Sequence, residues 1–445
     1  MKRTLKIQTC IDENSFFQLS DADAVQIFGE AFGPELDRLK NASPTAESTP
    51  TDTEEVFGDK NASPSQQLYG QDYIEVNRTV LGMLALKWLM VGDHGDYNAF
   101  TCQQAPVVKL RPESFEKLRR LFQEGLQDSK DIYALLVAMV VNDLGKDPDL
   151  SEDVIAGTGD SKQNHDMIVY AAAQANMIPL LDDFDAARKA DLILGLQFGS
   201  GLNAAQLAQA ENVPANLKGA LLMKGHDKAF SIKYMELLLD VAGADGHLDA
   251  RGAKAMIEPV FQSFMTTRQV LQDIVAGKCD LRTGYDQVLT HRQKMLEKDG
   301  FKTLSVTVPL ERALLRLLTM SRTASKHQAD QISQAFYSLP NSTQRALVDG
   351  LSVDGYNDGT AILPYYIPAL FAETIRNTAK SNDKQQVAAL GSVMRFLTRV
   401  YNGTKPMPGK VGAVVERDLS FAQDIVKSQK FKADPFILDG KAIPD

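Results

Sequence analysis

The sequence has few cysteines and no long uninterrupted apolar run. Its three cysteines, Cys10, Cys102 and Cys279, lie far apart and form no CxxC pair, which argues against a disulfide framework and a zinc ribbon. No stretch reaches the roughly 18 uncharged apolar residues that a membrane-spanning helix needs, and the first residues contain no apolar signal core. We therefore expect a cytoplasmic protein with reduced cysteines and no membrane partner.

Basic residues are also fewer than acidic ones. Lys and Arg number 48 against 57 Asp and Glu, so the formal net charge is -9. Broad, sequence-independent binding of nucleic acid needs a basic field, which this balance disfavours while leaving room for a local basic groove. The nucleotide-binding, hydrolase, zinc-protease and kinase motifs are missing as well. The 445 residues, 44% of them hydrophobic, are enough to bury a large core.

Alternating strand patterns are rare, and the best is the short segment 303–308. Helical periodicity dominates from Tyr73 onward. Apolar residues recur at spacings of three and four in the segments 73–91, 113–125, 131–144, 165–177, 183–197, 203–210, 215–223, 227–242, 250–276, 283–297, 309–320, 325–337, 342–351, 363–379, 383–401 and 416–428. The sequence therefore predicts an all-α, multi-helical fold.

Composition divides the chain into four predicted parts. Residues 1–38 carry an amphipathic pattern and form an N-terminal helical extension. Residues 39–67 are rich in Ser, Thr, Pro, Asp and Glu, and they have too little apolar surface to offset their ordering entropy, so we expect a flexible linker or loop. A helical core follows over 68–260, and a C-terminal helical region packs on it over 261–445.

The most informative motif is the run Ala-Met-Val-Val-Asn-Asp-Leu-Gly-Lys at 138–146. An apolar helix ends at Asn142-Asp143, and a Gly-Lys turn follows. One interpretation is a purely structural helix C-terminus, with Gly145 at the left-handed cap and Lys146 complementing the helix dipole. The other interpretation is a functional site that presents the Asp143 carboxylate with a lysine beside it.

Three histidines lie in short, turn-bounded motifs on either side of this run. His94 lies in Gly-Asp-His-Gly-Asp, His165 in Asn-His-Asp, and His226 opens the helix that carries Asp240. Both His165 and His226 are also explained as residues at helix N-termini. Fourteen residues at about 100° each bring His226 and Asp240 to one helix face, roughly 21 Å apart. They are therefore too far apart to share one ion on a straight helix.

The Asn-Asp-Leu-Gly-Lys run, with these residues in this order, resembles the metal-binding core of the HD superfamily over about residues 80–250. That superfamily contains helical metal-dependent phosphohydrolases and related oxygenases. The resemblance implies an HD-like core in which Asp143 is the Asp of the His-Asp pair and Asn142 stands in place of its His. It implies as metal ligands His94, Asn142, Asp143, His165, His226 and Asp240. Lys146, which matches a lysine that follows the pair in several members, and Asp227 are the candidate catalytic residues.

The implied cofactor is a divalent metal (Mn, Fe, Mg or Zn) that lowers the pKa of bound water. The amide of Asn142 binds borderline metals weakly, so a degenerate site is expected. The resemblance implies an enzyme that acts on a small phosphorylated or oxidisable metabolite, with Lys146 neutralising a phosphate oxygen.

Two alternative functions stay open. One is a metal-free biosynthetic transferase, such as a tRNA-dependent arginine-containing cyclodipeptide synthase of fungal type, which would need a basic face to dock tRNA. The other is a non-catalytic helical scaffold whose C-terminal helices bind a partner. An exposed contiguous apolar patch would favour the scaffold, whereas a buried polar-lined cavity near Asp143 would favour an enzyme. The sequence does not indicate the oligomeric state.

Overall fold

The computed structural model describes residues 3–42, 62–159, 164–406 and 412–443. Helices make up most of these residues, which confirms the all-α class. The helices of the N-terminal part are α1 (Leu5–Asp12), α2 (Asp21–Lys40), α3 (Pro64–Tyr69), α4 (Ile74–Val91), α5 (His94–Thr101), α6 (Pro112–Gly125), α7 (Ser129–Asn142), α8 (Pro148–Thr158), α9 (His165–Gln174), α10 (Ala186–Gly201), α11 (Ala204–Ala208), α12 (Asp227–Gly243) and α13 (Glu258–Val275). Those of the C-terminal part are α14 (Leu281–Lys298), α15 (Pro309–Met320), α16 (Lys326–Tyr337), α17 (Asn341–Ser352), α18 (Ile367–Thr378), α19 (Asp383–Gly403), α20 (Gln423–Lys427) and α21 (Gln429–Ala433). Short 3₁₀ helices lie at Phe16–Gln18, Leu144–Lys146, Pro179–Asp183, Pro214–Met223, Ser420–Ala422 and Pro435–Leu438.

The chain forms two compact units. The first contains Met1–Gly201 and Leu222–Gln262, and the second contains Leu202–Leu221 and Ser263–Asp445. Helices α1 and α2, which the sequence pattern sets apart as an N-terminal extension, belong to the first unit together with the helical core. Residues 43–61 of the expected 39–67 linker lie outside the described residues, and the ends of that segment belong to α2 and α3.

Helix α4 is the centre of the first unit. It is apolar around most of its circumference, and Val80, Met83 and Leu86 are fully buried, as expected of a helix enclosed by others. It packs against α2, α5, α6, α7 and α12, and α12 in turn packs against α7 and α10. The helix ends at Val91, and Gly92 follows it as the left-handed cap with a φ of 71°. Because α4 packs against α7 and α12, the polar residues near its N-terminus lie against these two helices.

Helix α19 is the centre of the second unit, where it packs against α16, α17 and α18. Strand β1 (Thr360–Tyr365) pairs in parallel with β2 (Ala413–Asp418). The sequence prediction for this unit is wrong in two respects. The segment 303–308 is not a strand, and the predicted helices 363–379 and 416–428 begin within β1 and β2. Short buried apolar runs do not distinguish strand from helix by periodicity alone.

Two features that the composition predicts can be compared with the structure. The three cysteines are free thiols. Within the described ranges, each helix is too short or too polar to cross a bilayer.

The turn after α7 approaches the start of α9 closely. Residues Leu144–Lys146 form a 3₁₀ turn, and Gly145 does not have a positive φ. The interpretation of Gly145 as a left-handed cap is therefore wrong. A Cβ atom at Gly145 would lie 1.9 Å from the carbonyl oxygen of His165. Glycine is needed here because the two backbones touch.

We expect Gly145→Ala to lower the free energy of unfolding by about 2–3 kcal/mol, since the added methyl group forces the turn and α9 apart. Urea denaturation measures this change. The control is Gly157→Ala on α8, where an added Cβ meets no atom within 4 Å and where removing a helical glycine should stabilise by about 0.5–1 kcal/mol. Equal stability of Gly145→Ala and the wild type would contradict the close approach.

Candidate functional site

Charged side chains from α4, α7 and α12 converge inside the first unit. We call this set the charge cluster. Its members are Glu75, Arg78, Asp143, Lys146, Lys233, Glu236 and Asp240. Spacings of three or four residues place the members from each helix or turn on one face, and the packing of α4 against α7 and α12 brings these faces together.

The ammonium group of Lys146 is the centre of the cluster. Its Nζ lies 2.9 Å from Oε2 of Glu75 and 2.9 Å from Oδ1 of Asp143. The exposed fractions of the three side chains are 6%, 0% and 8%. A charge at this depth is stable only when it is paired, because removing it from water costs several kcal/mol. Lys146 therefore joins α4 to the end of α7.

Arg78 extends the cluster toward α12. Its Nη1 lies 3.1 Å from Oε1 of Glu75, and its Nη2 lies 3.8 Å from Oδ1 of Asp240. The Asp240 side chain is 35% exposed, so the cluster reaches the protein surface at this residue.

Lys233 is the hydrogen-bond partner of Asn142, the asparagine of the motif. Its Nζ donates to Oδ1 of Asn142 at 2.8 Å and lies 2.5 Å from Oε2 of Glu236. A Cβ added to Gly199 of α10 would lie 3.1 Å from Cε of Lys233, so the glycine leaves room for the lysine. The amide oxygen of Asn142 thus accepts a hydrogen bond from a largely buried ammonium group.

The pKa values of the carboxyl groups are driven apart. Burial alone would raise the pKa of Asp143, but the nearby charges of Lys146, Arg78 and His165 hold it below its ordinary range. Burial and the charge of Asp143 raise the pKa of Glu75 and of Asp240. Burial raises the pKa of Glu236 to about 7, although Lys233 opposes the shift. Glu236 therefore titrates near neutral pH while Asp143 stays ionised.

The cluster has more acidic groups than basic ones. Its four carboxyl groups face three cations, and the negative charges of Asp143 and Glu236 raise the pKa of Lys146 and Lys233 respectively, against the effect of burial. One negative charge remains uncompensated until a carboxyl group takes up a proton. Glu236 is the member whose pKa of about 7 allows this at physiological pH.

The structure brings some of the sequence-predicted residues together. Asn142, Asp143, Lys146 and Asp240 lie in or directly beside the charge cluster. His165 lies at its edge, half-buried, with Nε2 3.5 Å from Oδ1 of Asp166.

Three predicted residues lie elsewhere. His226 and Asp227 are exposed at the N-terminus of α12, about 21 Å from Asp240 along a continuous helix. His94 is exposed in α5, beyond the C-terminal end of α4, and is separated from Glu75 by about 25 Å of helix.

Four members of the cluster were not predicted from the sequence: Glu75, Arg78, Lys233 and Glu236. Each is a charged residue within a largely apolar helical segment, and such a position is the signal that could have identified them. A charged residue on the buried side of a helix requires a partner.

The carboxylates at the predicted metal site have side-chain cations as partners. Among the described residues, no three His, Cys, Asp or Glu side chains are arranged to hold an ion. The carboxylates of Glu75 and Asp143 are instead bonded to Lys146 and Arg78. A divalent ion and these side-chain cations would compete for the same oxygens. The binding of Mn, Fe, Mg or Zn stays a prediction from the sequence.

Two small cavities flank Glu236. One has a volume of about 10 Å³ and is lined by polar groups that include Arg78, Asn142, Asp143 and Asp240. The other has a volume of about 20 Å³ and is lined mainly by apolar side chains together with Lys233. A volume of this size holds about one water molecule, and the polar cavity offers it several hydrogen-bonding partners.

Comparison with known proteins identifies the family of the chain, but it does not indicate an activity. The family described as "Family of unknown function (DUF6829)" matches residues 25–438, which is most of the chain, so the chain belongs to this family. No curated protein and no solved structure matches the chain. The HD-superfamily resemblance thus stays a prediction from the sequence.

We expect Lys146→Met to lower the free energy of unfolding by about 3–5 kcal/mol, because Glu75 and Asp143 would be left buried with less compensation. Guanidinium denaturation measures the change. Lys130→Met provides the matched control, because Lys130 is exposed on α7 and its replacement should change stability by less than about 0.5 kcal/mol. A loss below 1 kcal/mol in Lys146→Met would show that the lysine does not hold the cluster together.

Proposed function

We propose that this member of the DUF6829 family is a metal-independent enzyme that performs acid–base chemistry, most simply hydrolysis, with Glu236 as the proton-transferring group. The supporting observation is the contrast between Glu236, with a pKa of about 7, and Asp143, whose pKa is held low. A general base works best when its pKa is near the operating pH. Two carboxyl groups whose pKa values are driven apart are typical of an acid–base site.

The water-sized polar cavity beside Glu236 suggests the reaction. In the proposed step, Glu236 accepts a proton from a water molecule while the water oxygen attacks an acyl carbon of the substrate. Glu236 then returns this proton to the leaving group as its bond to the acyl carbon breaks. The substrate approaches at Asp240, where the cluster reaches the surface.

The charge balance favours a neutral or positively charged metabolite. The Lys146 ammonium group, which the HD resemblance assigns to a phosphate, is bonded to two carboxylates. Arg78 and Lys233 also have carboxylate partners. A phosphorylated substrate would have to displace these pairs inside a cluster that already has excess negative charge. The transferase and scaffold alternatives stay predictions from the sequence.

The titration of Glu236 can be measured directly by ¹³C NMR on protein with labelled glutamate side chains. We expect one carboxyl resonance to titrate near pH 7 and to be missing from Glu236→Gln. Because the pKa is raised in the folded state, the group stabilises the fold below about pH 4.5 and loses this contribution as pH rises through about 7. The unfolding free energy of the wild type should therefore fall relative to Glu236→Gln by up to about 3 kcal/mol over this range. Glu152→Gln, at an exposed position on α8, is the control that should keep the wild-type pH dependence.

Hydrolysis itself can be tested with p-nitrophenyl acetate as a neutral ester and p-nitrophenyl phosphate as an anionic one, after treatment with a chelator. We expect ester cleavage whose rate rises with pH through about 7 and falls by about 100-fold or more in Glu236→Gln. Faster cleavage of the phosphate ester, or ester cleavage at the same rate in Glu236→Gln and the wild type, would overturn the proposal. Loss of activity after treatment with the chelator would also overturn the proposal.

A further inference from the structure

A second cavity lies in the first unit, separate from the charge cluster. Its volume is about 460 Å³, within the usual range for small-molecule sites. It is bounded by the residues before α1, by the C-terminal part of α2 and by the 3₁₀ turn at Pro179–Asp183. Two arginines, Arg3 and Arg38, lie on its wall. Two guanidinium groups therefore border one space.

Each of these arginines is bonded to a buried carboxylate. Nη2 of Arg3 lies 2.5 Å from Oε1 of Glu35, and Nη1 of Arg38 lies 2.6 Å from Oδ2 of Asp147. The two carboxylate side chains are 7% and 1% exposed, whereas the two arginine side chains are 37% and 42% exposed. Each ion pair therefore fixes one nitrogen of a guanidinium group at the protein interior and leaves the rest of the group accessible.

The two guanidinium groups also lie close to each other. Burial raises the pKa of Glu35, and the charges of both Arg3 and Arg38 oppose this rise, so both cations are near the same carboxyl group. Among the residues that the structure describes, the remaining guanidinium nitrogens of both arginines have no hydrogen-bond or ion-pair partner. The planar fork of an arginine matches the two oxygens of a carboxylate. The two groups can therefore donate to one anion.

Much of the remaining lining is apolar. Pro34, Met177 and Pro179 lie on the wall and are at least partly exposed. The apolar lining also includes Leu144, Leu150, Ile178 and Leu180. Such a surface suits a hydrocarbon chain, because burying apolar area is favourable.

The charges on the wall favour a ligand with one negative charge over a ligand with two. Each arginine is paired with one carboxylate, so the two pairs together are electrically neutral. Asp183 also lies on the wall, and its Oδ2 accepts from the hydroxyl groups of Thr4 and Tyr133 at 3.0 and 2.8 Å. An anion is therefore stabilised by hydrogen bonds from the arginines and not by an excess of positive charge.

We propose that this cavity binds an amphipathic monoanion of the alkyl carboxylate class. Its carboxylate accepts from the guanidinium groups of Arg3 and Arg38, and its alkyl chain packs on Pro34, Met177 and Pro179. This binding does not depend on the chemistry proposed for Glu236.

Isothermal titration calorimetry with n-octanoate as the probe tests the proposal, with n-octanol and n-octylammonium as comparators of equal chain length. We expect the wild type to bind n-octanoate at least about tenfold more tightly than either comparator, because neither accepts charge-assisted hydrogen bonds from arginine. Each CH₂ group removed from the chain of the carboxylate should weaken binding by up to about fourfold.

Arg38→Lys keeps a cation beside Asp147 but removes the planar fork, and it should weaken n-octanoate binding by at least about fivefold. Arg120→Lys on α6 is the matched control and should bind as the wild type does. Arg120 is likewise paired with a carboxylate, that of Glu116 at 3.0 Å, and its side chain is 67% exposed.

Met177→Trp fills part of the cavity without changing any charge, and it should also weaken binding if Arg38→Lys proves unstable. Glu236→Gln should bind n-octanoate like the wild type, which separates this site from the charge cluster. Equal affinity for n-octanol or n-octylammonium, unchanged binding in both Arg38→Lys and Met177→Trp, or no binding of n-octanoate at millimolar concentration would each overturn the proposal.

Discussion

The Lys146 ammonium group between Glu75 and Asp143 constrains the whole first unit. Each of these groups is almost fully removed from water, so each depends on the others to offset its desolvation. The first turns of α4 and the end of α7 must therefore lie close enough for these side chains to stay within hydrogen-bonding distance. Gly145 permits the tight turn on which Lys146 lies, because a side chain there would collide with α9.

The arrangement places side-chain cations among carboxylates of the kind that ligate metal ions in other proteins. Arg78, Lys146 and Lys233 contact Glu75, Asp143, Glu236 and Asp240, and Asn142 accepts from one of these cations. Three positive charges against four carboxyl groups leave one site for a mobile proton. That proton is the basis of the catalytic role proposed for Glu236, so the same charge balance underlies the stability of the unit and the proposed chemistry.

Local periodicity predicted the helices well and the contacts between them poorly. The segment 309–320 matches α15 residue for residue, and 227–242 matches α12 within one residue. The sequence pattern did not predict the two strands, because β1 is a short buried apolar run and its partner β2 lies far along the chain. Lys146 and Glu75 are separated by 71 positions, so no spacing rule connects them. Pairs such as Lys233 and Glu236 at i and i+3 resemble an exposed helix surface, which concealed their burial.

The central proposition, that side-chain cations take the place of a metal ion in the charge cluster, is tested most directly by calorimetric titration of Mn²⁺ into chelator-treated protein. We expect no stoichiometric heat of binding and no change in melting temperature, because the oxygens of Asp143 and Glu75 are held by Lys146 and Arg78. Binding of one equivalent of Mn²⁺ that disappears in Asp143→Asn would contradict the account.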